Sequence, residues 1–107
     1  ATVVSGSVGS PNNITAGGGI TPLAIGRKQI IFVQGSAGPV EVTAAARIAN
    51  GINVGDELQI IGCSDANWLG LADGNNLRLN GNKTLVNGSV LGVVWDGSDW
   101  LENFWRD

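Results

Sequence analysis

Residues 73–100 read Asp73-Gly-Asn-Asn-Leu-Arg-Leu-Asn-Gly-Asn-Lys-Thr-Leu-Val-Asn-Gly-Ser-Val-Leu-Gly-Val-Val-Trp-Asp-Gly-Ser-Asp-Trp100. Short apolar runs alternate with Asp-Gly and Asn-Gly, dipeptides that favour positive φ at hairpin turns. The stretch is therefore expected to form closely spaced β-strands. The same phrasing runs upstream. Gln29–Gln34 is an expected strand, stopped by Gly35-Ser-Ala-Gly38. In Pro39–Thr43, Val40 and Val42 alternate with Glu41 and Thr43, and a Pro suits the first position of a strand. Glu57–Gly62 and Asn67–Ala72 are two more expected strands. Ala44–Ala49 is the only helix-capable piece, closed by Asn50-Gly51, and is expected to give a turn or two at most.

The pattern predicts an all-β fold: an antiparallel β-sandwich or jelly-roll-like domain over residues 23–107. Residues 1–22 hold only islands of apolar sequence among Ser, Gly, Asn and Pro, and are expected to form an extended N-terminal arm or linker. The last hairpin can be written in register. With Asp96–Asp99 as a four-residue loop, Trp95 faces Trp100, Val94 faces Leu101, Val93 faces Glu102, Leu91 faces Phe104 and Val90 faces Trp105. Directly opposed residues share a face. Both faces are then largely apolar, although a surface antiparallel sheet usually keeps one wet face. A core is expected on one side and a second contact, such as a subunit, on the other.

Composition narrows the function classes. A length of 107 residues fits one domain. Charged residues make up 14% of the chain, where about a quarter is usual, so part of the surface is expected to be buried against other subunits. The net charge of −3 and the lack of a basic run argue against phosphate-backbone binding, so no nucleic-acid partner is expected. No apolar stretch is long enough to span a bilayer as a helix, and no membrane partner is expected. The start at Ala1 instead of Met leads to an expectation of processing, a lost secretion signal among the possibilities.

Sites of bond chemistry are not legible. The chain has no His and one Cys, so no transition-metal site, cofactor or catalytic residue is expected. Cys63 follows Leu58-Gln-Ile-Ile-Gly62 and reads as a small buried hydrophobe. Asp65, Asp73, Asp96, Asp99 and Glu102 could pair for acid/base work, but most sit in turns, where Asp serves as a side-chain cap. The aromatic residues Trp68, Trp95, Trp100, Phe104 and Trp105 are the candidate assembly or glycan contacts. Trp rings can serve as stacking platforms for sugars, and they equally pack cores and subunit interfaces.

Five segments carry a resemblance: Ile31-Phe-Val-Gln-Gly-Ser-Ala-Gly-Pro-Val-Glu-Val-Thr43, Ile48-Ala-Asn-Gly51, Gly55-Asp-Glu-Leu-Gln-Ile-Ile-Gly62, Leu71-Ala-Asp-Gly-Asn-Asn-Leu-Arg-Leu-Asn-Gly81 and Val93-Val-Trp-Asp-Gly-Ser-Asp-Trp100. Together they span about residues 29–102. Their strand-and-turn phrasing resembles a small β-module of bacteriophage structural proteins, of the capsid decoration, tail-fibre or tailspike type. The resemblance implies a non-enzymatic virion structural protein on the particle surface. It implies a homotrimer, other virion proteins such as the major capsid protein as partners, and no catalytic residues. Two alternatives stand beside it. One is a carbohydrate-binding module using exposed Trp, with a host-surface glycan as partner. The other is an extracellular filament subunit with a donated N-terminal strand from residues 1–10.

Overall fold

The computed structural model describes residues 2–23 and 28–107. Ala1, the first residue of the expected arm, and residues 24–27 lie outside the described residues. Among the described residues there are ten strands: β1 (Val3–Ser5), β2 (Asn12–Ile14), β3 (Lys28–Gly35), β4 (Val40–Glu41), β5 (Glu57–Gly62), β6 (Leu69–Leu71), β7 (Leu77–Arg78), β8 (Lys83–Leu85), β9 (Val90–Trp95) and β10 (Trp100–Arg106). No helix occurs among the described residues, so the fold is all-β. Ala44–Ala49 forms bends instead of a helical turn, because Ile48 is drawn into a parallel bridge with Ile20 and is fully buried.

The strands form two sheets. A seven-stranded sheet runs β1-β3-β5-β9-β10-β7, with β2 also paired to β3; a three-stranded sheet runs β4-β6-β8. Pairing is mixed, which corrects the expectation of a purely antiparallel fold. β1 and β2 run parallel to β3, β3 to β5, β4 to β6 and β7 to β10. The cause is a chain that coils. Lys28 lies opposite Glu57 in the large sheet and Val40 opposite Leu69 in the small one, each partner 29 positions further along the chain. Successive coils therefore superpose like residues. Ile31 sits directly opposite Ile60, and Val42 and Leu71, at the same spacing, are both buried. Cross-coil hydrogen bonds follow: the Val40 and Val42 amides donate to the Trp68 and Gly70 carbonyls, each at 3.0 Å.

The segment expected as an arm is the first coil of this stack. β1 and β2 lie along β3, the Ser36 amide donates to the Ile14 carbonyl, and the Ile20 amide donates to the Arg47 carbonyl. Ile14 and Ile20 join the core, so the apolar islands among the glycines are core positions. One cluster unites the inner residues of both sheets: Ile31, Val33, Ile60, Leu91 and Val93 from the large sheet, and Leu69, Leu71 and Leu85 from the small one. Burying such side chains supplies roughly 1.5–3 kcal/mol each.

The final hairpin closes the core. Trp95 faces Trp100 across the loop, with ring centroids 5.2 Å apart and planes at 55°. Both are buried, at 5% and 1% exposure, and the Trp100 indole donates to the Ala49 carbonyl at 3.1 Å. Such tilted pairs add to area burial, and the indole N–H is satisfied. The loop is built by Asp96, whose Oδ1 accepts from the amides of Asp99 at 2.6 Å and Ser98 at 2.8 Å. Gly97 takes φ 101°, which a side chain would strain. The expected register holds for Trp95–Trp100, Val94–Leu101 and Val93–Glu102, then fails. A shift between Glu102 and Phe104 places Phe104 opposite Gly92 and Trp105 opposite Leu91. One residue is inserted as a β-bulge, which exchanges the faces of the residues beyond it.

Two outcomes test this description. Ile20→Ala should lower unfolding stability by about 2–5 kcal/mol, read from a urea transition, as expected for a filled core position. No change would mean that residues 1–22 hang free of the domain. The second concerns Asp96, whose carboxyl is held below its ordinary 3.8 by the Asp99 amide and then the Ser98 amide. A group with a depressed folded value stabilises above its unfolded pKa and loses that contribution as pH falls through the folded value. A carboxyl NMR titration should place Asp96 below 3.8, and Asp96→Asn, which keeps an acceptor oxygen, should keep the loop while removing this acid-side dependence.

Candidate functional site

Two surfaces arise from the hairpin and its neighbours. The first is the outer face of the seven-stranded sheet. In β3 and β5 burial alternates, so Gln29, Ile31, Val33, Leu58 and Ile60 face the core while Ile30, Phe32, Gln59 and Ile61 face outward. Register extends these rows across the sheet. Val4 lies beside Ile30, which faces Gln59, then Gly92, then Phe104. Phe32 faces Ile61, then Val90. Val94 lies beside Leu101. Val4 and Phe104 are 55% and 51% exposed. The charged members are Lys28 and Glu57 on one side of Val94 and Leu101, Arg78 on the other side, and Arg106 beside Val90.

Gly92 is required in the middle of this face. A Cβ there would lie 2.7 Å from the Asn103 Oδ1 and 3.0 Å from the Phe104 Cβ. The absence of a side chain lets the bulged segment of β10 lie flat on β9.

The second surface is an open groove of about 700 Å³ beside β10, lined by Asp73, Arg78, Leu79, Asn80, Glu102, Asn103, Phe104 and Trp105. The parallel pairing of β7 with β10, Leu77 with Trp100 and Arg78 with Leu101, brings the 73–80 segment to this edge. The bulge then turns Trp105 toward the Leu91 side, where it packs against the core cluster. Lys83 ties the groove floor together. Its ammonium sits 2.9 Å from the Asn80 carbonyl, 3.3 Å from the Glu102 Oε1 and 5.0 Å from the centroid of the Trp105 ring. At 8% exposure this is a buried cation whose cost is met by a carboxylate, a carbonyl and a ring face. Glu102 Oε1 also accepts from the Asn80 amide at 2.8 Å, and Asp73 Oδ1 accepts from the Leu79 amide at 2.8 Å. Arg78 is paired with Asp99 at 2.8 Å.

The five aromatic candidates thus separate. Trp95 and Trp100 are core residues and offer no free ring. Trp68 is half-buried in the turn before β6, outside the groove. Phe104 and Trp105 line the groove, and Phe104 also lies in the outer face. Of the five carboxylates, Asp73 and Glu102 are brought to the groove, Asp96 caps its loop, Asp99 pairs with Arg78, and Asp65 accepts from the Asn87 amide. Sequence reading did not gather Lys83, Asn80 and Asn103 with them; the one available signal is that Lys83 begins a short strand with apolar Leu85 two positions on.

Cys63 is half-buried, and desolvation pushes its thiol above the ordinary 9.0 despite the lowering effect of the Val33 backbone. No group of three or more His, Cys, Asp or Glu residues able to hold a metal is found among the described residues. No helix among them is long and apolar enough to cross a membrane. No protein-family model, no curated protein and no solved structure matches the chain.

Lys83→Met should destabilise the fold by about 1–3 kcal/mol, because it strands Glu102 half-buried without its cation. The urea midpoint reads this directly, and an unchanged midpoint would show that the ion pair contributes nothing to the edge.

Proposed function

We propose that this protein is a non-enzymatic structural module of a virion, of the capsid decoration or tail-fibre and tailspike kind, which assembles as a homotrimer through the outer face of its seven-stranded sheet. The observation that carries the reading is that face. A sheet with its core on one side normally turns polar residues to water on the other. Here apolar side chains predominate instead: Phe32, Ile61 and Val90 form one row, Val94 and Leu101 a pair, and Ile30 and Phe104 flank Gln59 and Gly92, with charges at the row ends. An apolar centre within a charged rim is the anatomy of a protein interface. The scarcity of charge in the whole chain fits a subunit that buries surface twice.

Two sheets sharing one core make a sandwich-like subunit, whose tight turns and coiled parallel pairings suit a compact part on the outside of a particle. The filament alternative has less support, because β1 is already paired to β3 of its own chain. Docking of the face on another virion protein, such as the major capsid protein, is the competing outcome.

The native mass of the purified chain tests the reading. Light scattering should give a particle near three times 11.0 kDa. Ile61→Glu, at a half-buried outward position, should yield a folded monomer. A wild-type monomer at high concentration would overturn self-assembly, and a trimer that survives Ile61→Glu would overturn the assigned face.

A further inference from the structure

We infer that the groove beside β10 is a binding site for a neutral oligosaccharide. The groove's size falls within the range of small-molecule sites, about 300–1,000 Å³. Its lining is one indole, one phenyl ring, two carboxylates, two amides and one guanidinium, with Leu79 as the single aliphatic residue. An apolar ligand would leave most of those polar groups unpaired. A sugar ring meets both kinds of wall, because its C–H faces stack on an aromatic plane while its edge hydroxyls pair with carboxylates and amides.

The geometry favours this class in three ways. Lys83 covers one face of the Trp105 ring yet does not line the groove, so the groove side of the ring is the side a ligand would meet. The polar groups are fixed but not exhausted. Glu102 Oε1 and Asp73 Oδ1 accept backbone amides, whereas Glu102 Oε2, Asp73 Oδ2 and the side chains of Asn80 and Asn103 have no hydrogen bond to another described residue. The two cations are engaged, Arg78 by Asp99 and Lys83 by Glu102, so an anionic sugar gains little.

A peptide is the competing ligand, since β10 beyond Leu101 has β9 on one side alone. It is less favoured, because the opposite rim offers side chains instead of a ladder. The Leu79 and Asn80 amides are already taken by Asp73 and Glu102.

The proposal does not depend on trimer formation, and the test separates the two. Maltohexaose, cellohexaose, chitotetraose and a mannose oligomer are titrated into the ¹⁵N-labelled chain, following the Trp105 indole N–H and the Asn80 and Asn103 side-chain amides. At least one sugar is expected to give saturable shifts at these groups, with a Kd on the order of 1 mM or tighter. Trp105→Ala should weaken that binding by about tenfold or more. Asn80→Ala and Asn103→Ala, at exposed positions that leave the Lys83–Glu102 pair intact, should each weaken it measurably. Trp68→Ala and Ile61→Glu should leave it unchanged. The inference is overturned if none of the four sugars shifts these groups, if Trp105→Ala binds as tightly as wild type, or if only an unglycosylated extended peptide perturbs β10.

Discussion

The structure hangs on the parallel pairing of β3 with β5. Ile31 opposite Ile60 sets the register between two successive coils of chain, and the same spacing of 29 residues recurs in the small sheet as β4 against β6. Once the coils superpose, Val42 and Leu71, 29 positions apart, both fall in the core. β5 then offers its far edge to β9, β9 turns into β10, and Trp95 and Trp100 close the core against the 49–56 segment. A one-residue slip between β3 and β5 would turn Ile31 or Ile60 outward and Phe32 or Ile61 inward.

That constraint explains what was legible in the sequence. The final hairpin was read correctly as far as Glu102, because the Asp96–Asp99 loop and the two Trp residues determine its register locally. Beyond Glu102 the reading failed. The bulge at Asn103 depends on Gly92 and on the packing of Trp105 over Lys83, which come from elsewhere in the chain. Strand positions in residues 29–62 were legible from alternation. Their direction was not, since an alternating pattern reads the same in parallel and antiparallel pairs. The recurrence of Ile31 and Ile60, Val42 and Leu71, and Ile48 and Leu77 at one spacing was the available signal for coiling. The first coil was obscured by its glycines, which leave Ile14 and Ile20 as isolated apolar letters. The groove was legible only as types: Asp73, Glu102, Phe104 and Trp105 each stand out, but their meeting follows from the β7–β10 pairing, which no local pattern announces.

The two surfaces share one origin. The bulge that leaves Phe104 on the outer face, over Gly92, also turns Trp105 toward Lys83 and the groove. The large sheet thereby presents an apolar face beside a polar edge. The face and the edge meet at Phe104, which belongs to both, while Ile30, Phe32 and Ile61 lie on the face alone and Asp73, Asn80 and Trp105 at the edge alone.

The most direct measurement is the solvent accessibility of the outer-face side chains in concentrated solution. A soluble paramagnetic probe attenuates the methyl NMR signals of residues that water reaches. Val4, which lies on the face beside Ile30 and is 55% exposed in the single subunit, should be protected, while Val8 and Val54, exposed at 65% and 76%, should be strongly attenuated. Equal attenuation of Val4 and Val54 would contradict the account, since the face would then stand open to water and the assembly it implies would not exist.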